Sequence, residues 1–180
     1  ISHPKLIEWV NTRNIDLSLA NLYCREVNYR VRDRMYFSVG FGNDNDGYEL
    51  SSPNNFKGCI PPKAITTIKN RHNTCLVFEG FWDFLSYLTL KNIERMKYDV
   101  AILNSVANVQ KILSFLKEHK NIYTFLDNDE AGQKAFQKIK SSCFSADDMS
   151  ERYTGYKDLN DYLCGKKQVK EIKKSRGSKM

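Results

Sequence analysis

At 180 residues, with 41% hydrophobic and 12% aromatic content, the chain is long enough to bury one substantial core with a small extension. Its formal charge of +7 is unevenly placed: residues 164–180 hold seven basic residues and one acid, whereas residues 74–163 hold 11 basic and 13 acidic ones. The excess belongs to a terminal tail, 165–180, expected to be solvated and disordered, so net charge gives no warrant for a basic nucleic-acid-binding body.

The opening, from His3 to about Tyr23, has helical spacing in two short pieces, Leu6, Ile7 and Val10, then Leu17 and Ala20, with Asp16 or Ser18 available as a cap. From Val27 to Phe41 the period changes to alternation, with turns expected at Asp33-Arg34 and in the Gly42–Gly47 loop. Short strands around Tyr48–Leu50 and Phe56 complete a small α+β unit over residues 1–73, closed by Pro61-Pro62. Arg30, Arg32 and Arg34 fall at alternate positions. On one uninterrupted strand they would share a face and follow a phosphate backbone, with Lys57 and Lys63 as additions; a turn at Asp33-Arg34 would break the stripe after Arg32.

From Thr74 the chain alternates apolar runs with helical stretches: Cys75–Phe78 and Phe81–Leu90, Asp99–Leu103 and Asn108–Lys117, Ile122–Leu126 and Glu130–Lys140. That repeat predicts a parallel α/β sheet flanked by helices over residues 74–164. The helices carry buried stripes such as Phe81, Phe84, Leu85 and Leu88, which read as core.

Two of the strands run directly into acids. Glu79-Gly80 follows Cys75–Phe78, and Asp127-Asn128-Asp129 follows Ile122–Leu126. In an open parallel sheet the carboxyl ends of the strands face one crevice, so acids from distant segments can share one cation there. Magnesium, or manganese, suits such a site because it takes hard oxygens and usually needs one or two carboxylates plus water and phosphate. Asp127 and Asp129, two residues apart, would point to the same side of an extended backbone, although Asp129 also fits as the cap of the helix at Glu130. Asp83 lies in a first helical turn, where the dipole favours an acid in any case. Asp158 and Asp161 precede Tyr162-Leu163 in a segment that reads equally as a capped short helix.

The five cysteines form no metal-ligating or disulfide framework, which points to a reducing, cytoplasmic setting. No window approaches the roughly 20 apolar residues of a membrane helix, and no secretory signal opens the chain, so no membrane partner is expected. The start at Ile1 points to a segment of a longer protein.

With these residues in place, the sequence resembles the Toprim family, shared by bacterial-type primases, type IA and type II topoisomerases and certain nucleases. Glu79-Gly80 with Asp83 looks like the family's glutamate motif, and Asp127-Asn128-Asp129-Glu130-Ala131-Gly132 like its Asp-x-Asp motif. Asp158 to Asp161 looks like the acidic motif of the primase-like branch. The segments Tyr36–Phe41, Gly47–Leu50 and Phe56–Gly58 are similar to the region before Toprim in primase-like proteins of bacterial mobile elements and plasmids. The resemblance implies a Rossmann-like Toprim sheet and metal-dependent nucleotidyl transfer on single-stranded DNA with nucleotides. In that account Glu79, Asp127 and Asp129 are catalytic, and the same three with Asp158 bind metal. Gly80, Asp83, Gly132, Asn160 and Asp161 give support, and a helicase or relaxase-type partner is implied. Such primases also carry a zinc module that this sequence lacks, so the segment alone is expected to be poor at starting primers. A Toprim nuclease and a non-catalytic nucleic-acid-binding or docking module stay open. A haloacid-dehalogenase-like phosphatase fits badly, because its Asp-x-Asp motif comes early whereas only about fifty residues follow Asp127.

Overall fold

The computed structural model describes residues 1–167, so the expectation for the basic tail lies, from residue 168 on, outside the described residues. Helix α1 (Pro4–Thr12) has a proline in its first turn, where a missing N–H costs nothing, and the His3 ring accepts the Lys5 N–H at 3.2 Å. Helix α2 (Leu17–Tyr23) is capped by Asp16, whose carboxylate accepts the Ser18 N–H at 2.7 Å.

Four antiparallel strands follow in sequential order: β1 (Cys24–Val31), β2 (Arg34–Gly42), β3 (Tyr48–Ser52) and β4 (Phe56–Ile60). Alternation decides which side meets the helices. Phe37 stacks on His3, Phe41 stacks on Phe81, and Ser51 accepts the indole N–H groups of Trp9 and Trp82 at 3.1 and 3.0 Å. The β1–β2 register pairs Val31 with Arg34, which puts the turn at Arg32-Asp33, one residue earlier than expected. Arg32 has φ 53°. The basic stripe therefore breaks: Arg30 lies on the strand, Arg32 in the turn and Arg34 on the returning strand.

The second sheet contains β5 (Thr66–Ile68), β6 (Thr74–Phe78), β7 (Asp99–Ile102), β8 (Asn121–Phe125) and β9 (Ala146–Asp148) in the order β5-β7-β6-β8-β9. Four of these run parallel and β5 is an antiparallel edge. Helices α3 (Phe81–Lys91), α4 (Val109–Leu116) and α5 (Glu130–Ser142) connect them, and α6 (Leu159–Leu163) closes the described chain. This is the α/β arrangement that the strand–helix repeat predicts. Neither three-residue edge strand is among the expected elements, and β5 joins this sheet from the N-terminal side of the boundary expected near residue 73.

Both faces of the sheet are covered, which is why β6 is buried at every position and apolar from Cys75 to Phe78. Cys75 and Val77 point into a core with α4 and α5, made by residues such as Ile112, Leu116 and Ile139. Leu76 and Phe78 point the other way, into a core that holds Phe84 and Leu88 of α3 together with Leu6, Val10 and Leu19 of the opening helices. The N-terminal unit and the parallel sheet thus share one hydrophobic interior.

Asp99 ties the linker before β6 to the start of β7. Its carboxylate accepts the Asn70 and His72 N–H groups, both at 2.9 Å, and contacts the His119 ring at 3.0 Å. Burial alone would raise this carboxyl, but the His72, His119 and Asn70 hydrogen bonds outweigh it and hold the group below its usual value. Asp99→Ala should lower the unfolding free energy by about 2–3 kcal/mol in urea denaturation at neutral pH, since buried donors lose their acceptor. A depressed folded pKa gives stability that is complete above about pH 4 and lost as pH falls through the folded value, so the gap between wild type and variant should close in acid.

Candidate active site

Chain order β6, β7, β8 set against spatial order β7, β6, β8 puts the topological switch between β6 and β8, where a crevice opens beyond the strand ends. The parallel register aligns Phe78 with Phe125. The residues that follow are Glu79 on one strand and Leu126-Asp127 on the other, and the Asp127 N–H donates to Glu79 Oε2 at 3.2 Å. Both acids line one cleft of ≈ 350 Å³, together with Asp83 and Asp158.

Crowding marks their titration. Burial first, and then the Asp127 charge, push the Glu79 carboxyl up to about 7. Asp127 is raised by burial, against the lowering influence of Lys157, whose ammonium lies 3.2 Å from Asp127 Oδ2. Asp83 is held well above the usual carboxylate range by burial and then by Asp158, Asp127 and Glu79. Its oxygens accept the Gly80 and Asn160 N–H groups, each at 3.3 Å, so it joins α3 to α6.

The remaining sequence-derived residues divide. Asp129 does not line the cleft: its Oδ1 accepts the Gly132 N–H at 2.9 Å, capping α5, although its charge still bears on Glu79. Asp158 lines the cleft and also caps α6, accepting the Asp161 N–H at 2.7 Å. Asp161 itself lies off the cleft lining. Asn160 is buried and bonded to Arg13 and Ser86. Lys57 and Lys63 line the cleft; Arg30 and Arg32 do not.

The two motif glycines differ in the same way. A Cβ on Gly132 would come within 2.1 Å of the Asp127 carbonyl oxygen, so only glycine lets α5 start this close to the strand end. At Gly80 a Cβ would meet only Asp83 Oδ2 at 3.4 Å, an ordinary contact, and what the missing side chain leaves open is the cleft itself.

Sequence reading overlooks several residues here. Asn128, between the two aspartates, donates its amide to the carbonyls of Ser150, Tyr153 and Tyr156 at 3.3, 3.1 and 3.0 Å, and its N–H to Lys157 O at 2.6 Å. With the Tyr153 hydroxyl on Leu126 O at 2.6 Å, it hangs the segment that carries Lys157 and Asp158 from the end of β8. Arg13 reaches the cleft from the end of α1, with its guanidinium 4.3 Å from the Trp9 ring centroid and bonded to Asn160 Oδ1 at 3.1 Å. Glu49 Oε1 and Asn104 Oδ1, also on the cleft lining, are buried acceptors without a partner among the described residues. Asn104 follows the apolar run Asp99–Leu103, and that strand-end position is a local sign of a place at the crevice; the contacts of the others carry no local sequence signal, because each is tertiary.

Among the described residues, no group of three His, Cys, Asp or Glu side chains converges to hold a metal by itself. Glu79 and Asp127 supply two hard oxygen donors at an open cleft, which fits an ion that completes its shell with water or phosphate.

Residues 76–163, from within β6 to the last residue of α6, match a family model described as Toprim-like. The chain carries a Toprim domain. Ahead of it, residues 1–61 match a model described as a domain of unknown function (DUF8464). No curated protein matches the chain. Among solved structures, the Toprim domain and the unit before it are together similar to the primase fragment of the bacteriophage T7 primase-helicase protein. That match has a TM-score of 0.62 and 18% identity over 87% of this chain and 68% of that one. The T7 primase domains captured with the lagging-strand DNA polymerase, an RNA/DNA hybrid and dTTP give 0.60 and 17%, over 86% and 84%. The Aquifex aeolicus primase, with its zinc-binding and RNA polymerase domains, gives 0.57 and 14%, over 93% and 57%. At these identities the likeness is one of fold. No helix among the described residues is long and apolar enough to cross a membrane.

Gly132→Ala tests how the Toprim strand end is built. Overpacking of this kind costs about 1–3 kcal/mol, so the variant should melt several degrees lower by circular dichroism, and a conservative Gly80→Ala should melt close to wild type.

Proposed function

We propose that this chain is the catalytic body of a DNA primase-like protein that joins nucleotides on a single-stranded DNA template with magnesium or manganese. The observation that carries this reading is the meeting of Glu79 and Asp127, from the ends of two parallel strands, in a cleft that also presents Lys57 and Lys63. A cleft that presents both carboxyl groups and lysines suits a substrate that brings phosphates together with a divalent ion.

In this account Asp127 and Glu79, with Asp158 beside them, would hold the ion, which when bound supplies charge neutralisation at the transferring phosphate. Asp129 contributes by fixing the start of α5 and by its charge. Lys57 and Lys63 bind nucleotide phosphates or the adjoining strand. Glu79 is either a further ligand of the ion or, beside the attacking hydroxyl, the group that accepts its proton. The unpartnered Glu49 and Asn104 oxygens offer acceptors to hydroxyl or amino donors of a bound nucleotide. Arg30 and Arg32 touch template only where it runs over the β1–β2 hairpin, outside the cleft. We further place the protein in the bacterial cytoplasm, in replication or mobilisation of a mobile element. A helicase-type partner fits with the primase-helicase that shares its fold.

Incubating the chain with a primed single-stranded template, nucleotides and magnesium or manganese should give extension products on a sequencing gel; cleaved template would instead identify a nuclease, and a shifted but unprocessed template a binding module. Glu79→Gln and Asp127→Asn should each lower metal-dependent product formation by about 10²-fold or more with far-ultraviolet circular dichroism unchanged; retained activity in either rejects the assignment. A Lys57→Ala/Lys63→Ala double variant should raise the apparent KM for nucleotide more than it lowers kcat, as expected when a ground-state phosphate contact is removed.

A further inference from the structure

One of the proposed metal ligands is already paired with a cation of the protein's own. Lys157 Nζ stands 3.2 Å from Asp127 Oδ2, and the Asp127 side chain is only 10% exposed while that of Lys157 is 44% exposed. The carboxylate is thus nearly buried, whereas the ammonium that meets it is partly exposed and does not belong to the cleft lining. Lys157 does not hang on a free loop. Its carbonyl is bonded to the Asn128 N–H at 2.6 Å, and the segment before it is held by the Asn128 side chain, so its backbone is anchored next to the Asp-x-Asp turn while its side chain remains long and rotatable.

The geometry points to Lys157 as a resident counter-ion: it neutralises Asp127 while the site holds no metal, and a divalent ion must displace it to reach that carboxylate. This inference rests on the metal-dependent reading and adds a regulated step to it. Without Lys157, Asp127 would share the cleft with Glu79, Asp83 and Asp158 and have no ion-pair partner among the described residues. A lysine is suited to the task because its charge sits at the end of a flexible stem and can leave without moving backbone. An arginine, bound through two parallel hydrogen bonds, would be harder to dislodge. Once displaced, the ammonium stays tethered to the segment that Asn128 anchors, next in the chain to the cleft-lining Asp158.

The test uses the 180-residue chain and Mn2+ alone, with binding followed by calorimetry and by the electron paramagnetic resonance signal of the free ion. Lys157→Met should bind Mn2+ about tenfold more tightly than wild type, the ratio given by removing a competing contact of ~1.4 kcal/mol, and Lys157→Arg should bind no more tightly than wild type. Equal or weaker binding in Lys157→Met, with the fold intact by circular dichroism, overturns the inference. A second measurement needs no variant: acetic anhydride labelling of the wild-type lysines, read by mass spectrometry, should show Lys157 several-fold more reactive after Mg2+ is added, and unchanged or lower reactivity overturns displacement. Asp127→Asn separates the two levels of the argument. If wild type and Asp127→Asn bind Mn2+ alike, or neither binds it, the metal reading itself fails; if only wild type binds and Lys157→Met gains nothing, the metal reading stands and the counter-ion role falls.

Discussion

The parallel pairing of β6 with β8 is the constraint on which the rest depends. Its register sets Phe78 beside Phe125 and so delivers Glu79 and Asp127 to the same point, although 48 positions separate them in the chain. Both carboxyl groups are desolvated there, and burial is the largest influence raising each of them, with the Asp127 charge adding to it at Glu79. Nothing in hydrophobic burial rewards that arrangement. The cores on the two faces, with Leu76 and Phe78 on one side and Cys75 and Val77 on the other, hold the strands in register against it. Stability is thus generated in the sheet interior and spent at its rim, in the common manner of functional sites.

The rim is built as a set of polar attachments to the end of β8. Gly132 lets α5 begin against the Asp127 carbonyl, Asn128 gathers three carbonyls of the following segment, and Tyr153 reaches back to Leu126. Asp83 and Asn160 join α3 to α6, and Arg13 extends that network to the N-terminal unit. Each acid in the cleft is therefore placed by a neighbour whose own role is structural. Most cleft side chains stand on strand or helix ends, which gives finer positioning than loops would.

What the sequence made legible follows from locality. An apolar run that stops at an acid is a local pattern, and Glu79 and Asp127 are both found that way; so are the strand–helix repeat and the capping acid of α2. The edge strands β5 and β9 were not legible because three residues carry no measurable period, and their extended form is set by the neighbour they pair with. The arginine stripe needs an uninterrupted strand, and it breaks because hairpin register puts the turn at Arg32-Asp33, one residue before the expected Asp33-Arg34. Asp129 satisfied two local rules at once, alternation with Asp127 and capping of α5, and the cap determined its side-chain direction. Lys157 and Arg13 look like ordinary surface cations in the sequence, since their partners lie at positions 127 and 160.

The shared interior of the two units bears on how such a protein can be inherited. Phe78, Phe81 and Phe84 of the Toprim domain are sealed by Leu6, Val10 and Phe41 from the segment before it. A Toprim domain cut free at the junction between residues 61 and 76 would bare aromatic rings that bury about 150–250 Å² each, a patch of the size that drives aggregation. Recombination that swapped one unit between distant relatives would have to bring its packing partner along. The pair should therefore pass through lineages as a single cassette, with exchange concentrated at its outer ends.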